Sequence, residues 1–137
     1  MQDQLGDNIA ILQVQSGQPM YCALVSTGAW VNANPDLAES FLKALAQAES
    51  FLAAHPDEGE SIIQTRLNYD SRYMAAIWPE HRFSLRLEQS LVLALEDQAR
   101  WMMQNGLTGA TVMPDFMNYI RQDTLKAIKP GGVSLIY

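Results

Sequence analysis

Two proline steps, Asn34-Pro35-Asp36 and His55-Pro56-Asp57-Glu58, constrain this chain more than any other feature. Proline ends a preceding helix but suits the first turn of a new one, where its missing N–H has no partner to lose. Each step therefore closes one element and opens the next. Between them Leu37, Phe41, Leu45, Ala48 and Leu52 recur at spacings of four, four, three and four, which puts them on one face of a helix reaching Ala54-His55. Asn34 is the expected N-cap, with Asp36 favourably placed in the first turn. Beyond Pro56, Ile62, Ile63 and Leu67 supply the buried side of a second helix. The two form a hairpin with almost no loop.

Asn68-Tyr69-Asp70-Ser71 caps a short third helix carrying Met74, Ile77 and Trp78, which Pro79 stops. The pattern then predicts a long helix over 85–104, with Leu87, Leu91, Leu95, Gln98 and Met102 on its face and Trp101 beside them. Asn105-Gly106-Leu107 ends it as a Schellman motif, glycine taking the left-handed position. Pro114-Asp115 opens a short helix with Phe116, Tyr119 and Ile120, residues 125–128 add a turn, and Lys129-Pro130-Gly131-Gly132 leads into an extended 133–137. Ahead of the helices, Ile9, Ile11 and Val14 mark a short strand over 8–14. Ser16-Gly17-Gln18-Pro19 is a turn, and the apolar run 20–26 suits a strand buried on both faces. The expected class is α/β: two short N-terminal strands, then about five helices. Two strands alone are marginal. Further sheet partners are expected from elsewhere.

At 137 residues, 48% apolar and 18% charged, the chain has the size and composition of one globular domain. Fifteen acids against nine bases give a net charge of -6, and the bases are scattered. No basic stripe could follow a phosphate backbone, which argues against nucleic acid as a partner. Cys22 stands alone, so neither an internal disulfide nor a cysteine metal cage is possible; its apolar neighbours point to a buried small side chain rather than a reactive thiol. No apolar run approaches a membrane span, and residues 1–7 carry no signal-peptide pattern.

Residues for chemistry are sparse. His55 and His81 lie in different connecting segments, without metal-pair spacing; His55 reads as a helix-terminal residue and His81 as a solvated loop residue. Asp57, Glu58 and Glu60, like Glu96 and Asp97, fit first-turn dipole compensation or a solvated helix face. Ser26-Thr27-Gly28 lacks the glycines flanking a nucleophile elbow, and no phosphate-binding glycine loop occurs. Trp78, Trp101, Phe116 and Tyr119 could form a ligand cage, but their helical spacings favour ordinary core. No catalytic residue, metal or cofactor is expected.

The punctuation of the helices also carries a resemblance. The run from Leu24 through Ser26-Thr27-Gly28-Ala29-Trp30 to Asn34-Pro35-Asp36-Leu37 continues with Phe41-Leu42-Lys43-Ala44-Leu45. Then come Phe51-Leu52-Ala53-Ala54-His55-Pro56-Asp57-Glu58, Gln98-Ala99-Arg100-Trp101-Met102, Asn105-Gly106-Leu107, Pro114-Asp115-Phe116, Tyr119-Ile120 and Leu125-Lys126-Ala127-Ile128-Lys129-Pro130. Together they resemble, over nearly the whole chain, the C-terminal half of ABC-transporter solute-binding proteins of the nitrate/sulfonate/taurine type. The resemblance implies the helix-rich C-terminal portion of a type II periplasmic-binding-protein fold, with 1–30 as strand and crossing segment and 31–137 as part of a helical lobe. It further implies a small, often anionic solute, an ABC permease as partner, and a location that is periplasmic or extracytoplasmic and membrane-associated. Tyr21, Ser26 and Thr27, on the crossing segment, become the expected ligand-binding residues. The family's N-terminal half has no counterpart in these residues, so it is an expected partner, as is self-association through unpaired sheet edges and apolar faces. Two relatives of this fold class offer alternatives: an enzyme like the thiamine-pyrimidine synthases, or a sensory ligand-binding domain.

Overall fold

A computed structural model describes residue 10 and residues 20–136. Among them are six α-helices: α1 (Gly28–Ala33), α2 (Pro35–Ala54), α3 (Pro56–Leu67), α4 (Ser71–Ile77), α5 (Gln89–Gln104) and α6 (Asp123–Ile128). Short 3-10 turns follow at Trp78–Glu80, Phe116–Tyr119 and Pro130–Gly132. Two strands, β1 (Leu87–Glu88) and β2 (Val133–Ser134), pair in parallel with Leu87 opposite Val133. The chain is helix-rich with a small parallel sheet.

The proline steps act as their chemistry requires. Pro35 and Pro56 each occupy the first turn of a helix, and α2 and α3 pack as a hairpin joined only by His55. Gly59 is buried at their crossing, where a Cβ would run into the Leu52 side chain. Asp70 caps α4 by accepting the Tyr73 N–H at 2.8 Å. The end of α5 is a Schellman motif: Leu107 N–H donates to Met102 O at 2.9 Å, Gly106 N–H to Met103 O at 3.2 Å, and Gly106 sits at φ +67°. Asn68 ends α3 in the same way at φ 54°, through Tyr69 N–H to Gln64 O and Asn68 N–H to Thr65 O. Asn34 departs from expectation, since its side-chain amide donates to Trp30 O and so closes α1 rather than capping α2.

The strands are not where the apolar runs placed them. Residues 8–14 lie, Ala10 apart, outside the described residues, and Ala10 has no regular structure. Residues 20–26 form no strand; they run without helix, turn or ladder, because no described segment pairs with them. Cys22, expected inside, is exposed for the same reason. Thr27 starts an unforeseen helix, α1, by accepting the Trp30 N–H. The observed strands come instead from the first residues assigned to the long helix and from the extended tail. Accordingly α5 begins at Gln89 rather than Leu85.

One polar junction gathers the distant parts. Both oxygens of Glu49, on α2, accept from Lys129 Nζ at 2.6 and 2.7 Å. The same carboxylate accepts from Leu85 N–H and Ser84 Oγ at 3.3 Å, and Lys129 also donates to Leu85 O. Next to it Gly132 is buried, with space for a Cβ only 3.0 Å from Leu85 O. Burial works to raise the Glu49 pKa, but hydrogen bonds from Lys129 and Leu85 and the lysine charge outweigh it and bring the pKa below the ordinary 4.5.

The apolar core is thin. Only Met74, Val92 and Leu125 are buried apolar side chains among the described residues, at 1%, 3% and 3% exposure. On α2 the face chosen by periodicity is half covered: Leu45 and Leu52 are partly buried, whereas Leu37 and Phe41 are 56% and 52% exposed. With so little burial, single polar ties carry weight.

Two outcomes follow. Gly106→Ala loses about 1 kcal/mol through left-handed strain alone, since nothing lies within 4 Å of the added Cβ. Gly109→Ala, in equally open surroundings, changes little; urea unfolding of both variants distinguishes strain from packing. Glu49→Gln lowers stability by about 1–2 kcal/mol at neutral pH, the range for a hydrogen bond to a charged group. Because the folded pKa of Glu49 is depressed, its contribution is complete above the unfolded value and is lost as pH falls through the folded one. Thermal melts are therefore expected to show the gap between the two proteins constant from neutral pH down to about pH 5 and closing below it.

Candidate functional site

A cleft of about 840 Å³ opens between the 20–27 segment, α1, the start of α2, residues 84–91 and residues 119–125. That volume suits a small organic ligand.

All three residues singled out by resemblance stand on this wall. Tyr21 Oη donates to Ser90 Oγ at 2.7 Å, which ties the segment to α5 and leaves the phenol oxygen able to accept. Thr27 Oγ1 accepts from Trp30 N–H at 3.2 Å while its own hydrogen stays available. Ser26 is exposed with its hydroxyl open to both roles. Leu85, Leu87, Leu91 and Leu125 contribute an apolar floor.

Among the described residues the lining is completed by two arginines, Arg86 and Arg121, and includes no aspartate or glutamate. Arg86 is compensated from outside: its Nε donates to Ser84 Oγ and its Nη1 to Glu88 Oε1 at 2.9 Å, a hydrogen bond and charge that raise its pKa further. Arg121 has a neutral partner, donating through Nη2 to Asn32 Oδ1 at 2.7 Å. Its positive charge is held in place without being cancelled. An exposed guanidinium positioned by a neutral amide can bind an anion without first giving up a carboxylate.

Reading the sequence in order gave no signal for Arg121, since Asn32 is 89 residues away from it. Arg86 was likewise only one of the scattered bases. The aromatic set is neither a cage nor, as its spacing favoured, ordinary core: Trp101 and Tyr119 are 58% and 78% exposed, and Trp78 packs at a tilt on Phe83. His81 uses its ring against Ile77 O and Phe83, and His55 packs on Phe51. Among the described residues no group of three or more histidine, cysteine or acidic side chains could hold a metal ion, and no helix is long and apolar enough to cross a membrane.

No protein-family model matches the chain, and neither a curated protein nor a solved structure matches it.

The Tyr21–Ser90 bond is exposed, so its worth is small but measurable. Tyr21→Phe and Ser90→Ala are each expected to lose about 0.5–1 kcal/mol. A double-mutant cycle checks the assignment: if the hydroxyls act together, the double variant loses no more than either single one.

Proposed function

We propose that this chain is a solute-binding component of an ABC importer, taking a small anionic nitrogen- or sulfur-containing solute such as nitrate, a sulfonate or taurine. In this reading it forms the helix-rich C-terminal portion of a type II periplasmic-binding fold, works outside the cytoplasm and hands its solute to a membrane permease. The observation that carries the reading is the charge of the cleft. In a chain of net charge -6, the described residues of the lining include two arginines and no acid. A random sample of this surface would be acidic. An excess of positive charge at one concave site raises the local concentration of anions and orients them. The hydroxyls of Ser26 and Thr27 supply donors beside it, as oxyanion recognition requires.

The apolar floor ranks the candidates. Nitrate offers nothing for Leu85, Leu87 and Leu91 to cover, whereas an alkyl sulfonate places its chain there and its head group toward Arg121. Titration calorimetry with nitrate, taurine, an alkyl sulfonate and a matched alkyl amine tests the reading. The sulfonate is expected to bind best and the amine not at all. Arg121→Met removes the charge and Asn32→Asp cancels it, so each is expected to weaken binding by about tenfold, roughly 1.4 kcal/mol. Failure of every anion to bind, or binding indifferent to both substitutions, would end this assignment.

A further inference from the structure

Polar contacts form a single line from the ion pair of the fold to the wall of the cleft. Lys129 Nζ donates to both oxygens of Glu49 at 2.6 and 2.7 Å, Ser84 Oγ donates to Glu49 Oε1 at 3.3 Å, and Arg86 Nε donates to the same Ser84 Oγ at 2.7 Å. Ser84 and Arg86 line the cleft, whereas Glu49 and Lys129 stand behind it. A hydroxyl carries one hydrogen, and a hydroxyl that accepts from a guanidinium must send that hydrogen elsewhere. Among the described residues the Glu49 carboxylate is its acceptor. The contact is long, but the carboxylate is charged and is itself fixed by Lys129 and the Leu85 N–H.

We propose that Glu49 is a positioning residue of the cleft, which through the Ser84 hydroxyl sets the direction of the Arg86 guanidinium. Glu88 alone does not achieve this. It takes one terminal nitrogen, Nη1 at 2.9 Å, and a guanidinium held at one end still swings about that contact. A second contact at Nε, on the stem side, fixes the plane of the rigid fork. With Nε and Nη1 engaged, Nη2 keeps its hydrogens, for which the described residues offer no acceptor. The two arginines of the cleft then differ in role. Arg121 supplies charge without a carboxylate partner, whereas Arg86, its charge balanced by Glu88, supplies aimed donors. Aimed donors favour an oxyanion, whose lone pairs have direction, over a spherical anion of equal charge. What the guanidinium meets rests on the solute reading above; how it is held does not, and is measured without solute.

Heteronuclear NMR on the full chain tests the line. The Arg86 Nε–H signal, identified by its loss in Arg86→Lys, is expected to be ordered and to exchange slowly with water. Ser84→Ala, at an exposed position, is expected to speed that exchange by roughly threefold to tenfold, the range of one hydrogen bond, with helical circular dichroism unchanged. Ser84→Thr keeps the hydroxyl and is expected to restore the slow rate. Glu49→Gln, which puts a donor where one acceptor oxygen stood, is expected to reproduce part of the loss. Calorimetry with an alkyl sulfonate reads the consequence: Ser84→Ala weakens binding by roughly threefold and Ser84→Thr leaves it unchanged. An Arg86 Nε–H that is mobile in the unsubstituted chain, or indifferent to Ser84→Ala and Glu49→Gln, overturns the inference even where anions bind. Loss in Ser84→Thr as large as in Ser84→Ala overturns it too, since the hydroxyl is then not the link. An ordered, Ser84-dependent Nε–H in a chain that binds no anion upholds the positioning of Arg86 and removes the solute reading instead.

Discussion

The Glu49 carboxylate ties together parts of the chain that lie far apart in sequence. It sits near the end of α2 and receives the Lys129 ammonium from the end of α6 and the Leu85 amide from the approach to β1. Lys129 and Leu85 are in turn joined by the lysine's bond to Leu85 O. With those three elements fixed, β1 and β2 are brought within pairing distance, and two residues from each suffice to make a parallel ladder. A strand pair that short has no independent stability, so it records the junction more than it creates it. The tight approach of Gly132 to Leu85 explains why a glycine precedes β2.

A polar tie can matter this much because the apolar contribution is small. Three buried apolar side chains among the described residues are few for a chain with nearly half its residues apolar. Much of the remaining hydrophobic material among the described residues is exposed or only half-buried. Along α2 the exposed Leu37 and Phe41 lie toward the cleft end, and the covered Leu45 and Leu52 toward the α3 hairpin. Of the exposed apolar residues between Met20 and Phe41, Leu24, Val25, Trp30 and Phe41 line the cleft.

What could be read in advance divides by range. Pro35, Pro56, Asp70 and Gly106 act on backbone groups within four residues, and the elements they bound were legible from sequence. Hydrophobic runs were less reliable. The run 20–26 has strand composition, yet composition supplies no pairing partner, and burial of Cys22 depended on that partner. Conversely Leu87 and Glu88 look like the start of a helix and become a strand because Val133 reaches them from far along the chain. The cleft shows the same split: Tyr21, Ser26 and Thr27, the ligand-binding residues expected from a family resemblance, line it, while Arg121 depends on Asn32 and had no local mark.

That last contact also decides how the cleft's charge behaves. Arg86 and Glu88 form an exposed pair whose net field is weak and easily screened. Arg121 contributes a full charge, and its amide partner fixes its direction without reducing it. An acid at position 32 would hold the guanidinium as firmly but leave the cleft with no uncompensated charge. An aliphatic residue there would leave the charge and lose the orientation. Asparagine alone among these supplies position and keeps the sign. Within an acidic chain, the described lining of the cleft carries arginine and no carboxylate, an arrangement that favours an anion over a cation.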